Sequence, residues 1–472
     1  MNKPFSLIVL AAFAAAALLA SCNGGPDVMQ LTVNGEAYAI SLPAADTVDL
    51  VTLSTEFDAD VAVSNPQRYS RLSVDGIALE KGLGRIPVDK IGKDAFLTLE
   101  WARHGAEGTV VLRTLHNKVP DVMATGQAAS PGDFYLSYVY LRLIQKFGND
   151  GQLLFYRFEP REIRGSEDCT GWWDFKKHSF DGKTYYSYHA PDQAFDDWKF
   201  TGYNPGKRVL LDERYRPLEE IHLLADQTGI VRDGDPIDGH DFFFFAPGHY
   251  IVSAYLEREG VYAAYLQEVQ DGKVVFDWWS TDHPELAGWG DPAFGQPKDY
   301  VHFNSIDLLP DGNWLCSLRH VSSVVKIDRA DGTGDILWHI SGASPARPAY
   351  AFHGQHCARW HGEDSTISLY NNGNGTGVTG LLRLSVNPAT GAVTGGGNLL
   401  AAGYPAYYSE ACGALTFSGD NFIAGWGIPG QGGANDRLLI EFDAAGNEQF
   451  SLRRHPGNPY NGLLASYRCV KE

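Results

Sequence analysis

Four short strings in the second half of the chain share one plan: DGHDFFFF from Asp238, YVHFNSIDLLPDGNWLCSLRH from Tyr300 to His320, GQHCARWH from Gly354 to His361, and CGALTFSGDNFIAGWG from Cys412 to Gly427. Each opens an alternating apolar and polar run that turns at Gly or Asp into a second apolar run, the pattern of an antiparallel hairpin. Three of them carry a histidine at the same place. The steps from His240 to His302, from His302 to His356 and from His356 to Cys412 are 62, 54 and 56 residues. A period of that size with all-strand content predicts the blades of a β-propeller. The inner strand of every blade lines one channel, so histidines far apart in sequence are expected to converge.

The rest of the chain fits an all-β class. Its 52 glycines, 24 Phe, 23 Tyr and 11 Trp against three Met favour strands and turns over helices. A closing run after an Asp-Gly or similar turn recurs at Asp150, Asp271, Asp331, Thr390 and Ala444. With openings near Phe134 and before Trp172, His240, His302, His356 and Cys412, the expectation is six blades over residues 128–472. Residues 29–127 carry short alternating runs separated by polar turns about every ten residues, which predicts an N-terminal β-sandwich domain. The small, polar stretch ATGQAASPGD from Ala124 reads as the linker.

Residues 1–21 combine Lys3, an apolar run from Phe5 to Ala20, and Leu19-Ala20-Ser21 before Cys22. This is the form of a bacterial lipoprotein signal peptide. Cys22 is expected to be the lipidated N-terminus and residues 22–28 a tether, which puts the body on a membrane anchor on the periplasmic or outer side. The formal charge of −19 argues against nucleic acid as a partner and against a polybasic grip on lipid. Five further cysteines, Cys169, Cys316, Cys357, Cys412 and Cys469, allow up to two disulfides in an oxidising compartment, with the pairing open.

His240, His302 and His356 each open an inner strand and are expected near one mouth of the channel. Arg319 follows the Asp311-Gly312 turn and returns to the same end as His302, 17 residues on. Imidazole serves near neutrality as nucleophile, base or acid, and guanidinium is a planar fork for tetrahedral oxyanions. Together they suit transfer of an anionic group. No Gly-x-x-x-x-Gly-Lys-Ser/Thr string is present, which disfavours a phosphate loop. No cofactor and no metal are expected for this chemistry. Aromatic residues Trp172, Trp173, Tyr255, Tyr407, Tyr408 and Trp426 are candidates to hold a flat ligand; Tyr255 and Trp426, with Asn304 and Arg319, form the expected substrate-binding set. His320, His353 and His361 have no aligned role, and His353 is the rival of His356.

The succession of DGHD, H-x-N-S-I-D, an Asp-Gly turn, S-x-R-H, V-x-K-I-D-R, W-x-I-S-G and then Q-H resembles the bacterial aryl-sulfate sulfotransferases of the arylsulfotransferase family, most closely from Tyr300 to Gly342. The resemblance implies a six-bladed propeller behind a β-sandwich. It also implies transfer of a sulfuryl group from a phenolic sulfate donor to a phenolic acceptor without a nucleotide donor. By the same resemblance, His356 is the histidine that becomes sulfated, His240 and His302 bind the sulfuryl group and move protons, and Arg319 binds sulfate. A homodimer is left open. Two other classes stay open as well: a noncatalytic propeller that binds glycan or peptide, and a metal-dependent hydrolase or lyase with the three histidines as ligands.

Overall fold

The computed structural model describes residues 27–43, 45–92, 96–114, 119, 122–160, 171–191, 202–343, 350–430, 436–456 and 464–472. Cys22, the leader, Cys169 and most of the tether lie outside the described residues. Among the described residues the regular structure is almost entirely β-strand, with short 3₁₀ turns between strands. No helix of the described residues is long and apolar enough to cross a membrane.

The N-terminal strands form two antiparallel-rich sheets. One runs Glu36–Leu42, Asp27–Val33, Ala59–Val63, Leu83–Ile86; the other runs Thr47–Leu50, Ala106–Thr114, Phe96–Arg103, Arg71–Val74, Ile77–Ala78. Their strands bury every second residue, as in Ala59–Val63 and Phe96–Arg103, so each sheet has one dry face. Trp101, Leu112, Val33 and Ile40 fill that interior. Two strands leave this region. Thr52–Ser54 adds to the edge strand Leu153–Phe158, and Val122–Gly126 pairs with Glu448–Arg454. The N-terminal part is therefore stitched to the rest by backbone hydrogen bonds as well as by side chains.

From Phe134 onward the described strands make six antiparallel sheets of four strands, two of them extended to five by Thr52–Ser54 and Val122–Gly126, each beginning close to an opening read in the sequence, and one small pair, Ser409–Ala411 with Ile428–Pro429. The inner strands are buried on both faces: Phe134–Tyr138, Leu143–Phe147, Trp314–Leu318, Ser323–Ile327 and Thr366–Asn371 are buried at every residue. Outer strands such as Val393–Asn398 alternate between half-buried and exposed. The cause is face-to-face stacking of the sheets. Tyr135 and Phe155 share a core with Phe175 and Tyr186; Ile221 with Val252 and Tyr265; Ile251 and Leu266 with Cys316 and Val325; Leu315 and Val324 with Ile367 and Leu369; Tyr370 and Leu381 with Leu415 and Phe422. The last sheet packs on the first through Ile423, Leu439 and Phe450 against Phe134 and Leu143. The C-terminal strand Ser466–Lys471 pairs with Phe134–Tyr138 and completes the first sheet.

Hairpin turns follow the sequence signal. Asp181-Gly182 and Asp271-Gly272 both take positive φ at each central residue, the conformation that a two-residue turn between right-twisted strands requires. The disulfide expectation is corrected for three cysteines: Cys316, Cys357 and Cys469 are free and buried. They pack as small apolar side chains in the shared cores, and Cys412 is buried beside Trp173 and Tyr467.

Candidate active site

The strands that open the sheets begin irregularly. Register shifts fall between Trp173 and Lys176, between Phe303 and Ser305, and between His356 and Arg359. Asp174, His302, Cys357 and Cys412 stand at these openings with φ of 53, 48, 54 and 61°. Left-handed backbone is costly for non-glycine residues and concentrates where a fold must aim side chains. The result is a cluster of imidazoles from different sheets. His240, His302 and His356 are 2, 5 and 2% exposed.

The rings of His240 and His302 lie 4.9 Å apart and nearly perpendicular, and His320 continues the row at 4.5 Å from His302. Arg319 returns to His302 as its strand pairing requires, its backbone N–H donating to the His302 carbonyl at 2.9 Å. Its guanidinium bonds the Nε2 of His320 and the carbonyl of Glu410, both at 2.9 Å, and lies over the ring of Phe294 at 4.6 Å.

Each of the three histidines is held from behind by a different partner. His240 Nδ1 meets Asp238 Oδ2 at 2.5 Å, and His302 Nδ1 bonds Asp299 Oδ2. Both carboxylates also accept the backbone N–H of the histidine they hold, at 2.7 and 3.0 Å. His356 Nδ1 instead meets the amide oxygen of Asn372 at 2.7 Å, and its Nε2 accepts the Cys412 backbone N–H at 3.3 Å. Burial, then Arg319 and the other two imidazoles, hold His356 well below the ordinary imidazole range, with the Asn372 bond opposing. His302 is also pushed well down by burial and by the nearby His240 and Arg319. Burial raises Asp299 to about 6 and lowers His320 to about 3.

A buried ion network starts one residue after His240. Asp241 bonds Lys176 at 2.6 Å, Arg359 at 2.8 Å and Arg468 at 2.9 Å, while Asp174 bonds Arg208 at 2.8 Å and Arg468 at 2.6 Å. Arg468 also donates to the carbonyl of Asn304 at 3.2 Å. Charges so deeply buried are stable only as a set, so this network fixes the sheets that carry the site relative to one another.

Of the residues expected at the site, His240, His302 and Arg319 come together, His356 lies near enough to feel their charges, and Tyr255 joins the two histidines. Its ring stacks on Tyr203 at 3.8 Å and lies 5.9 Å from both His240 and His302. Its hydroxyl bonds the carbonyl of Phe303. Trp173 also reaches His240, at 5.5 Å. Asn304 is fully buried, donating to the Gln355 carbonyl at 2.7 Å. Trp426 is placed elsewhere, buried at 0% exposure against Tyr407 and Tyr370 in the core between two sheets. His353 is turned aside to Asp291 at 2.7 Å, and His361 to Ser368 at 2.8 Å. Sequence reasoning missed Asp238, Asp299, His320 and Asn372. The two aspartates stand two and three residues before their histidines, a spacing from which a side chain can accept a nearby backbone N–H. Asn372 has no such local signal.

Among the described residues, the grouping whose donor atoms approach metal-ligand spacing is Asp299, His302 and His320, within 4.8 Å of one another, and not the three predicted histidines. A bound cation would there face the guanidinium of Arg319, already bonded to His320. A cavity of about 740 Å³ flanks the site, lined by Leu286, Ala287, Pro292, Tyr300 and His320 among others.

These features define an all-β chain of stacked small sheets with a buried cluster of histidines beside one arginine. Residues 263–404 match the family described as arylsulfotransferase (ASST). No match was found among curated proteins. Solved structures similar to it include a protein of unknown function from Bacteroides caccae (12% identity, 72% of this chain and 98% of that one, TM-score 0.45) and virginiamycin B lyase from Staphylococcus aureus (11%, 71% and 99%, TM-score 0.35). A Lactobacillus plantarum protein is similar at 15% identity, covering 69% of this chain and 82% of that one, with a TM-score of 0.39.

Proposed function

We propose that the six stacked sheets are the blades of a β-propeller behind an N-terminal β-sandwich, and that the site at its centre is an aryl-sulfate sulfotransferase working through a sulfo-histidine. The observation that carries this reading is the grouping of His240, His302 and Arg319, with His356 buried within reach of their charges and its Nδ1 engaged by Asn372. The match of residues 263–404 to the arylsulfotransferase family supports the sulfotransferase class.

In the first half-reaction the lone pair on His356 Nε2 attacks sulfur in line. The N–S bond forms as the bond from sulfur to the aryl oxygen breaks, and the leaving oxygen takes a proton from His240. Phenol has a pKa near 10, so the leaving group is tolerable and proton donation adds roughly 10²–10⁴-fold. Arg319 balances charge on the sulfuryl oxygens. His302 starts neutral, because burial and its cationic neighbours oppose its protonation. A bound anion shifts that balance toward the imidazolium. In the second half-reaction His240 takes the proton of an incoming phenol, whose oxygen displaces His356 from sulfur. Two half-reactions through one covalent intermediate are ping-pong.

Anchoring through an acylated Cys22 on the periplasmic or outer side goes with this reading and is supported by the leader sequence. The test is to mix the protein with 4-nitrophenyl sulfate alone, quench, and map added mass. The expected result is one sulfuryl group on the His356 peptide and a burst of 4-nitrophenol equal to the enzyme. Label on no histidine overturns the reading, and retention of turnover by His356→Ala overturns the nucleophile. Activity lost to chelator and restored by zinc would favour metal-dependent chemistry instead.

A further inference from the structure

The geometry points to Asn372 as the positioning residue that makes His356, rather than His240 or His302, the sulfuryl acceptor, an inference that rests on the transferase reading above. Asn372 is completely buried, and its amide has one orientation. Its Nδ2 donates to the carbonyls of Ser409 and Cys412, both at 3.0 Å. The amide oxygen is thereby turned to His356, and an amide oxygen only accepts. His356 Nδ1 must therefore carry the proton, which leaves the lone pair on Nε2. The Cys412 N–H faces that lone pair at a long 3.3 Å.

A neutral partner also suits the intermediate. Once Nε2 bonds sulfur, the ring is positively charged and its Nδ1–H still donates to Asn372. The Asn372 amide cannot take that proton, so the ring stays an imidazolium and leaves sulfur as a neutral imidazole when the phenol arrives. A carboxylate in place of Asn372 would hold or remove the proton. It would either charge the empty ring and take away the nucleophile, or strengthen the N–S bond of the loaded one. His240 and His302 have such carboxylates, which suits proton transfer and spoils sulfuryl transfer. The other titratable or charged groups that bear on His356 are Arg319, His240 and His302, and all three disfavour its protonation. A carboxylate at position 372 would set an anion directly against it.

The test combines a measurement on the unmodified protein with two variants. In ¹⁵N-histidine spectra of the full chain without donor, His356 is expected as the Nδ1–H tautomer and neutral through the range where an ordinary imidazole titrates. An Nε2–H tautomer or an ordinary titration overturns the inference, whether or not any variant folds. With 4-nitrophenyl sulfate in a single turnover at neutral pH, Asn372→Asp is expected to label His356 about 10- to 100-fold more slowly. The rate should recover as pH rises, with the acid limb moved upward. Asn372→Leu should be slow without that shift. An unlabelled wild-type chain overturns the transferase reading and this inference with it. A labelled wild-type chain whose Asn372→Asp variant keeps the same pH profile overturns this inference alone.

Discussion

His302 and His356 occupy corresponding places, at the opening strands of neighbouring sheets, both buried and both bonded through Nδ1. What differs is the atom behind the ring. Asp299 precedes His302 by three residues and holds both its backbone N–H and its ring. Asn372 reaches His356 from the end of the next strand and is itself tied to two carbonyls beyond it. The carboxylate can share a proton with its ring, whereas the amide oxygen only accepts the Nδ1–H and so fixes one tautomer. On the transferase reading proposed above, repetition of the fold supplies equivalent histidines, and the partner of each one divides the labour between them.

The sharpest way to break this contrast is to make the carboxylates into amides. Asp238→Asn and Asp299→Asn should leave His356 able to attack but deprive the proton-handling rings of their anion. The loss is expected to depend on the leaving group: about 10²–10⁴-fold in kcat for unsubstituted phenyl sulfate, where protonation of the departing oxygen matters most, and much less for 4-nitrophenyl sulfate. Steady-state kinetics with the two donors reads this directly. Equal losses with both donors would mean that the carboxylates only orient their rings, and the division of roles would fall.

The contrast also explains what the sequence could reveal. The repeat spacing of His240, His302 and His356 was legible because each sheet is a local unit, its hairpins written in alternating residues and Asp-Gly turns. Arg319 was legible for the same reason, since one turn brings it back to His302. Asp238 and Asp299 were within reach of a reading that asked which nearby side chain accepts each histidine's backbone N–H. Asn372 was not, because its selection over other polar residues depends on the carbonyls of Ser409 and Cys412, about 40 residues away in the next sheet. Trp426 misled because an aromatic beside a glycine-rich run looks the same whether it faces a channel or a seam between sheets. It lies in the seam. The strands that close the structure were equally hidden, since Val122–Gly126 and Ser466–Lys471 find their partners only when the chain ends meet.

A smaller effect is expected at Arg319, whose fork spans His320 and the Glu410 carbonyl on the His302 side of the site. Lysine keeps the charge and loses one of the two contacts. Arg319→Lys should weaken donor binding by about 10-fold, the order of one hydrogen bond to a charged group. The pH dependence set by Asn372 and Asp299 should be retained. A change in the acid limb of the rate profile would show instead that Arg319, rather than the Nδ1 partners, governs the protonation of the histidines.

The smallest effect concerns a histidine with no part in the division of labour. His189 is fully buried against Trp173 and the backbone of Gly239, and burial lowers it to about 3, with Arg208 also opposing its charge. In the unfolded chain it titrates near 6.5. Between those values the unfolded state binds a proton that the folded state refuses, so stability falls as pH drops from 6.5 toward 3 and is unaffected by this group above 6.5. His189→Leu should remove that contribution, making the acid limb of stability shallower by at most about 1.4 kcal/mol per pH unit, while the acid limb of activity stays where the Nδ1 partners of the site put it. Denaturant unfolding at a series of pH values, beside rate profiles of the same variant, separates the two. A shift of both limbs together would mean that His189 acts on the site through the neighbouring Asp238, and that a fourth imidazole belongs in the comparison.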